Sequence, residues 1–336
     1  MNRIELLRAV EKIKPAMSSG LAEQDNLIMF EQYHEGGKVK SFNNEIMMIS
    51  PMVEGLKFDG AVPANEMLTL LQKMYDKNVK VTEKGDELRI SGKTTKAVLK
   101  KAELEMPEVT LPNKFASLPS NFTEGLRHCR FTVAESGNVL HNILIEGDKI
   151  ISSDNYRITE YTLEKDTFKK SQLIPAPICM TLISFTPTSF ASNKSWLFFK
   201  NEDGAILCIR RVEEQRKFPD IQAILKQKFK GTKVTLPEDL KQALERAKIL
   251  SAEDLVTGNS TVDVTIEKDK VLCQGECAMG RIDEEIKVEY SGKKISFSIV
   301  PDFLYQILNN TDKMTVGEVS LKFKTKNFQH IVQLIS

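Results

Sequence analysis

ISFSIVPDFLYQILNN, residues 295–310, joins a strand-like run to a helical one through a β-branched residue and a proline. Beyond Val300-Pro301, the apolar residues Leu304, Ile307 and Leu308 fall at helical spacing. Proline suits the first turn of a helix because its missing N–H would be unpaired there anyway. The same step occurs twice earlier: Val62-Pro63 precedes Met67, Leu71 and Met74, and Ile174-Pro175 precedes Ile178, Leu182 and Phe185. The three prolines lie 112 and 126 residues apart.

Other features recur around this step in a constant order. An amphipathic helix opens each third, with stripes Leu6, Val10, Ile13, then Phe122, Leu126, Cys129, then Leu240, Leu244, Ala247, starting 116 and 118 residues apart. Strand-like runs lie between the two helices. After the second helix comes a hairpin around Gly85, Gly204 or Gly317, glycines 119 and 113 residues apart. Proline-bearing or basic connectors, EMPEVTLPNKFASLPSN and KQKFKGTKVTLP, separate the thirds. Recurrence at a fixed period signals a repeat architecture. The expected fold class is α+β, with three tandem similar domains at 1–109, 110–232 and 233–336. Each would set two helices on one face of an antiparallel sheet. Sheets covered on one face leave edge strands open to a neighbouring domain or subunit, so a chain or ring of domains is expected.

Composition narrows the function classes. The 336 residues carry 47 Lys plus Arg against 46 Asp plus Glu, a net charge of +1, which excludes nucleic-acid binding by bulk positive charge but not by a local basic surface. Hydrophobic residues at 41% and charged residues at 28% exclude bulk disorder. Five scattered cysteines read as reduced thiols in a cytoplasmic protein. MNRIELLRAVEKIKP has no apolar run of the kind a signal peptide needs. Residues 171–193 lack charge but carry Pro175, Pro177 and Pro187, so they read as a buried strand–helix segment and no membrane partner is expected.

The chain shows no catalytic or metal-binding constellation. GKTT at 92–95 resembles the end of a phosphate loop, but Glu87 stands where that loop needs glycine and the context is a hairpin. Cys273 and Cys277 have no second pair or nearby histidine to complete a zinc site. Cys129 beside His128 completes an apolar stripe and reads as core. Glu213-Glu214 and Glu284-Glu285 read as solvated strand or loop ends. No enzyme, metal or cofactor is expected, the thiol hydrolase reading of Cys129 being the weaker alternative. The opening helices are more informative: they carry Arg3, Arg8, Lys12 and Lys14, then Arg127 and Arg130, then Lys241, Arg246 and Lys248. Facing one side together, these would offer phosphates a weak, sequence-independent surface.

The ordered stretches IEGDKIISSDNYRITEY (145–161), RKFPDIQAIL (216–225), DLKQALERAKILSAE (239–253) and ISFSIVPDFLYQILNN resemble the bacterial DNA sliding clamps, the beta subunit of DNA polymerase III. FDGAVPANEMLTLLQKM (58–74) adds weaker support. The resemblance implies half of a six-domain ring: a head-to-tail homodimer encircling duplex DNA with its helices facing the hole. It implies a processivity factor that tethers a replicative polymerase and is opened by a separate ATP-driven loader. A subunit junction at Ala97, Val98 and Leu99 and at Ile249 and Leu250 is implied, as is a groove for short partner peptides. Carried over, that groove takes Leu140, Ser153, Asn155, Tyr156, Arg157, Ile158, Pro219, Ile224, Ile331, Val332, Gln333 and Leu334. Arg157 could equally pair with Asp154.

This chain departs from the family pattern. Asn155-Tyr156 replaces the usual glycine and histidine, Ala223 stands where an arginine often lines the groove, and the last segment reads QLIS without the usual proline and basic residue. The departures imply a different peptide preference and fit a phage, prophage or plasmid version. The alternative function is a clamp-shaped adaptor that binds replication or transcription proteins without encircling DNA.

Overall fold

The computed structural model describes residues 1–17, 26–103, 105–135, 138–212, 218–253 and 258–335. Glu213-Glu214 and Arg216-Lys217 lie outside the described residues.

The first stretch of chain opens with α1 (Arg3–Ile13). It continues through β1 (Leu27–Tyr33), β2 (Gly36–Phe42), β3 (Ile46–Ile49), β4 (Val53–Glu54) and β5 (Gly60–Pro63) to α2 (Ala64–Lys73). It ends in a meander of β6 (Lys80–Lys84), β7 (Glu87–Ser91) and β8 (Lys96–Lys100). After β9 (Ala116–Ser117) the order repeats with α3 (Phe122–Cys129), β10 (Asn142–Gly147), β11 (Lys149–Ser153), β12 (Arg157–Thr162), β13 (Phe168–Pro175) and α4 (Ala176–Phe185). The second meander is β14 (Ser189–Ser192), β15 (Trp196–Lys200) and β16 (Ile206–Arg210). A short α5 (Gln222–Lys226) and β17 (Thr232–Thr235) lead to α6 (Leu240–Ala247), β18 (Val262–Glu267), β19 (Lys270–Cys277), β20 (Gly280–Lys287), β21 (Ile295–Ile299) and α7 (Pro301–Ile307). The third meander is β22 (Lys313–Val316), β23 (Ser320–Lys324) and β24 (Phe328–Gln333). The fold is α+β, with two helices and a closing meander recurring three times.

The apolar stripes do what their spacing predicts. Leu6, Val10, Ile13, Leu126, Cys129, Leu240, Leu244 and Ala247 are fully buried, and Phe122 nearly so. Asn2 caps α1 by accepting from the Ile4 N–H at 2.9 Å, satisfying one of the orphan donors of the first turn. The prolines differ from expectation in detail. Pro301 is the first residue of α7, but Pro63 is the cap residue before α2 and Pro175 closes β13. A strand that ends directly on a helix leaves its boundary residue free to serve either element. The uncharged stretch 171–193 covers the end of β13, α4 and β14, and no described helix is long and apolar enough to cross a membrane. GKTT forms the β7–β8 turn, closed by the Gly92 N–H on Thr95 O at 2.8 Å.

Contacts gather the chain into two compact units, Met1–Thr123 with Pro177–Glu213, and Glu124–Ala176 with Glu214–Ser336. The first contains a sheet ordered β5-β1-β2-β3-β16-β15-β14-β9, with β4 on β2, and a separate β6-β7-β8 sheet. The large sheet is continuous because β3 pairs antiparallel with β16, Ile49 opposite Ile206. The second unit contains a sheet ordered β13-β10-β11-β12-β24-β23-β22-β17 and a separate β20-β19-β18-β21 sheet. Here the join is β12 with β24, Ile158 opposite Ile331.

Two glycines let helices approach strands in the second unit. A Cβ on Gly125 of α3 would stand 2.8 Å from the Ile150 and Tyr161 side chains. One on Gly275 of β19 would stand 2.0 Å from Ala247 O, where α6 ends against the strand. A larger residue would displace the Ile150 and Tyr161 side chains at the first and the helix-end backbone at the second.

Candidate functional site

The outer face of the β11–β12–β24 segment, in the second unit, carries an apolar patch. Strand alternation puts Ile158 and Ile331 on this face, and Thr159, His330 and Val332 on the opposite, fully buried one. α5 lies over the patch. Ile221 and Leu225, one helical turn apart, bury against Ile151 and Ile158, and Leu144, Phe218 and Ile331 complete the cluster. Gln329 Nε2 donates to Leu225 O at 3.2 Å and Gln222 Nε2 to Glu160 at 3.1 Å, which pins the helix to the sheet.

The β11–β12 turn borders the patch. Asp154 Oδ1 accepts from the N–H groups of Tyr156 and Arg157 at 3.1 and 2.8 Å, a local side-chain bond that shapes the turn. Asn155 sits at its tip with φ +76°, a conformation asparagine tolerates better than most residues. The half-buried Tyr156 stacks its ring 6.4 Å from Phe303 of α7. Ser153 Oγ donates to Arg157 O, and Tyr156 O accepts from the Gln333 N–H.

Of the residues expected at a groove, Ile158, Ile331, Ile224, Pro219, Asn155, Tyr156, Gln333 and Leu334 stand at or around this patch with at least partial exposure, except that Ile158 is nearly covered. Val332 is fully buried on the other face, Ser153 is buried, and Leu140 is buried in the Val139–His141 turn. Arg157 is buried too, and its donors are committed internally. Nε and Nη2 bind Asp154 at 2.8 and 2.7 Å, Nη1 binds Gln306 and Nη2 also binds Phe131 O, while the guanidinium lies 4.0 Å from the Phe303 ring centroid. Sequence reasoning missed Ile221, Leu225, Phe218, Ile151 and Leu144. The i, i+4 spacing of Ile221 and Leu225 was the available signal, and it makes these two, rather than the exposed Ile224, the buried contacts.

Beneath the patch, His330 is fully buried among Phe131, Phe323 and Phe328. Its Nδ1 bonds the Thr159 hydroxyl at 2.7 Å and its Nε2 has no partner among the described residues. Burial, with the Arg157 charge nearby, holds its pKa well below the ordinary histidine value; burial lowers that of His128 as well. The folded chain therefore binds fewer protons than the unfolded one as pH falls below about 6.5, and stability declines with it. We expect up to about 1.4 kcal/mol lost per pH unit for each histidine, with His330→Gln removing its share of that slope in denaturant titrations between pH 7 and 5. An unchanged slope in the variant would place the acid sensitivity elsewhere.

The basic residues of the opening helices divide by their partners. Arg3 donates to Leu71 O and Asp76 O at the end of α2, Lys12 pairs with Asp203, and Lys241 donates to Asn309. Lys248 pairs with Asp302 at 2.6 Å and Arg246 holds Glu284 through two bonds at 2.7 and 2.8 Å. Glu284 is thus a mid-strand partner of α6, not the solvated strand end expected, because alternation turns it toward the helix. Arg8, Arg127 and Arg130 are exposed and make no ion pair among the described residues.

Each small sheet ends in an unpaired edge. Bonds from the Gly92 N–H to Thr95 O and from Lys101 N–H to Asp86 O fix the β7–β8 ladder, so Ala97 and Leu99 bond to β7. Lys96, Val98 and Lys100 therefore aim their N–H and C=O off the edge. On β20 the Val288 N–H bond to Asp269 O fixes the alternation in the same way and turns the backbone groups of Arg281, Asp283, Glu285 and Lys287 outward. Val98 is 52% exposed, and Ile249, in the turn after α6 beside β20, is 70% exposed.

No protein-family profile matches the chain. It is 26% identical over 185 residues to the beta sliding clamps of two Streptococcus pneumoniae strains, TIGR4 and R6. That match covers 51% of this chain and 47% of each relative, about half the length of the curated relatives. Solved structures align over the whole chain. The DNA polymerase III beta subunit of Pseudomonas aeruginosa superposes with a TM-score of 0.84 at 15% identity, covering 100% of this chain and 98% of that one. The chain has the sliding-clamp fold. The Helicobacter pylori beta clamp gives 0.84 at 15% identity, covering 100% and 99%, and the S. pneumoniae clamp 0.83 at 18%, covering 100% and 98%.

Proposed function

We propose that this chain is a DNA sliding clamp: two copies close head to tail around duplex DNA and hold a replicative polymerase to its template. The carrying observation is the pattern of paired and unpaired strands. The third strand after the opening helix pairs with the last strand of the next repeat's meander at β3–β16 and again at β12–β24. The strands left over at those two positions are β20 and β8, each at a sheet edge. A second copy supplies the missing partner for each, and three repeats, 1–109, 110–232 and 233–336, then give a ring of six. Lys96 and Lys100 flank Val98 on one edge; on the other, Asp283 and Glu285 lie outward between Arg281 and Lys287, paired with Arg281 and Lys270, and closure would exchange those exposed partners for the lysines. Ala97, Leu99, Ile249 and Leu250 complete the junction.

In that ring Arg8, Arg127 and Arg130 touch phosphates loosely, so the clamp slides and stays linked by topology. Lys12, Lys241, Arg246 and Lys248 contribute as their intramolecular partners exchange, and Arg3 braces α2. The apolar surface beside α5, where Ile331 and Ile224 keep exposure, receives a short hydrophobic peptide of the polymerase, and in turn of the ATP-driven loader. A P. aeruginosa sliding clamp bound to griselimycin shows that a clamp of this fold takes a ligand. No cofactor or catalytic group takes part, and the protein works in the cytoplasm.

The test is solution mass followed by retention on DNA. Light scattering should give about 76 kDa, twice the 38.0 kDa chain, across a dilution series. A head-to-tail contact that fails to close would instead give masses rising with concentration. Once loaded on nicked circular DNA, the clamp should stay bound through high salt and leave when the circle is cut. Reversing Arg8, Arg127 and Arg130 to glutamate should leave the mass unchanged and weaken loading. A monomer at every concentration sinks the ring.

A further inference from the structure

The apolar patch does not end at Ile331. In the second unit's large sheet, Ile158 stands opposite Ile331, Ile331 opposite Lys322, Lys322 opposite Thr315 and Thr315 opposite Lys233. One row on one face therefore passes from apolar to basic. Lys324 beside Gln329 and Lys313 beside Thr235 lie next to it on the same face, around a recess of about 690 Å³. None of these four lysines forms an ion pair among the described residues, while Glu160, the acid of β12 on this face, already pairs with Lys149 and accepts from Gln222. Burial and the neighbouring Lys324 hold the Lys322 pKa below its ordinary value, outweighing the pull of Glu160 in the other direction.

We propose that this lysine strip is the second half of the partner groove and selects peptides in which acidic residues flank the hydrophobic anchors. The inference rests on the peptide-groove reading and names the partner chemistry. From β24 to β17 is three strand spacings, about 14 Å, which an extended chain crosses in about four residues. An acidic tail of that length reaches Lys322, Lys324 and Lys233 while apolar side chains occupy the patch. Nucleic acid fits the strip less well. Phe229, its aromatic, carries Lys322 over its ring at 5.7 Å and packs its ring edge on Gly317, so a base would have to displace the lysine from that face to stack there.

The experiment displays random five-residue segments with a tail of four glutamates or four glutamines at either end, and selects them on the wild-type chain. An enriched segment is then synthesised with each tail and titrated by fluorescence anisotropy. The glutamate-tailed peptide should bind roughly tenfold more tightly at about 50 mM salt, with the advantage shrinking at about 500 mM. Lys322→Glu with Lys324→Glu should abolish the advantage, and Lys233→Glu with Lys313→Glu, at exposed positions, should do so without disturbing Ile331. Equal binding of the two tails overturns the strip and leaves the groove standing. Recovery of no apolar segment with any tail overturns the groove, and the strip with it. A thymidine oligonucleotide that binds more tightly than the glutamate-tailed peptide, and loses affinity in both variants, assigns the strip to nucleic acid instead.

Discussion

Arg157→Met should lower the unfolding free energy of the second unit by about 3–5 kcal/mol, the range for removing one member of a buried ion pair. Asp154 is only 11% exposed at its side chain and loses its cation, while Gln306 Oε1 and Phe131 O lose donors that water cannot easily replace. The cation also sits over Phe303, and methionine restores the packing there without the charge. Lysine should not rescue the loss, because a single ammonium cannot reach Asp154, Gln306 and Phe131 from one position as the guanidinium fork does. Asp154→Asn placed on Arg157→Met should recover part of it by removing the stranded carboxylate. Hydrogen exchange of β12 and β24 amides reads the effect within the unit concerned. A loss below about 1 kcal/mol would mean that water reaches Asp154 and that the arginine is available to a ligand.

That prediction marks where sequence reading stopped. The stripes of α1, α3 and α6, the repeated strand–proline–helix step and the hairpins were legible because a period of 3.6 or 2 survives in the chain whatever its neighbours do. Of the role of Arg157, only its pairing with Asp154 was legible. Its other partners, Phe131 and Gln306, lie 26 and 149 residues away, and no local pattern joins them. Lys12 is similar, since Asp203 is 191 residues distant. Strand pairing between repeats was foreseen only as open edges; which strands meet, β3 with β16 and β12 with β24, depends on long-range register. At the groove the FPDIQAIL stretch announced a contact and named Ile224, which stays exposed, but not Ile221 and Leu225, which hold the helix to the sheet. The lysine strip escaped notice because its members come from three strands, each with an ordinary alternation of polar and apolar residues.

In the proposed ring, Val98→Pro should convert dimer to monomer, weakening association by at least about a hundredfold, while the monomer loses no more than about 1 kcal/mol. The asymmetry follows from the ladder. Ala97 and Leu99 bond to β7, so proline at 98 removes no bond within the sheet, and its fixed φ is tolerated on an edge strand. The N–H it removes is one that a second copy's β20 would accept from, and the ring atoms would crowd the incoming strand. Main-chain bonds lost at two junctions of a closed ring act together, because opening one leaves the other to hold alone. A charge exchange separates this from misfolding. Lys96→Glu with Lys100→Glu should weaken the dimer, and adding Asp283→Lys with Glu285→Lys to the same chain should restore it, since every junction then meets reversed charges on both sides. The wild-type dimer should loosen as salt rises, as exposed charge pairs do. A Val98→Pro chain that remains a dimer on dilution and stays on circular DNA would show that closure uses another surface. The unpaired edges of β8 and β20 would then need a different explanation.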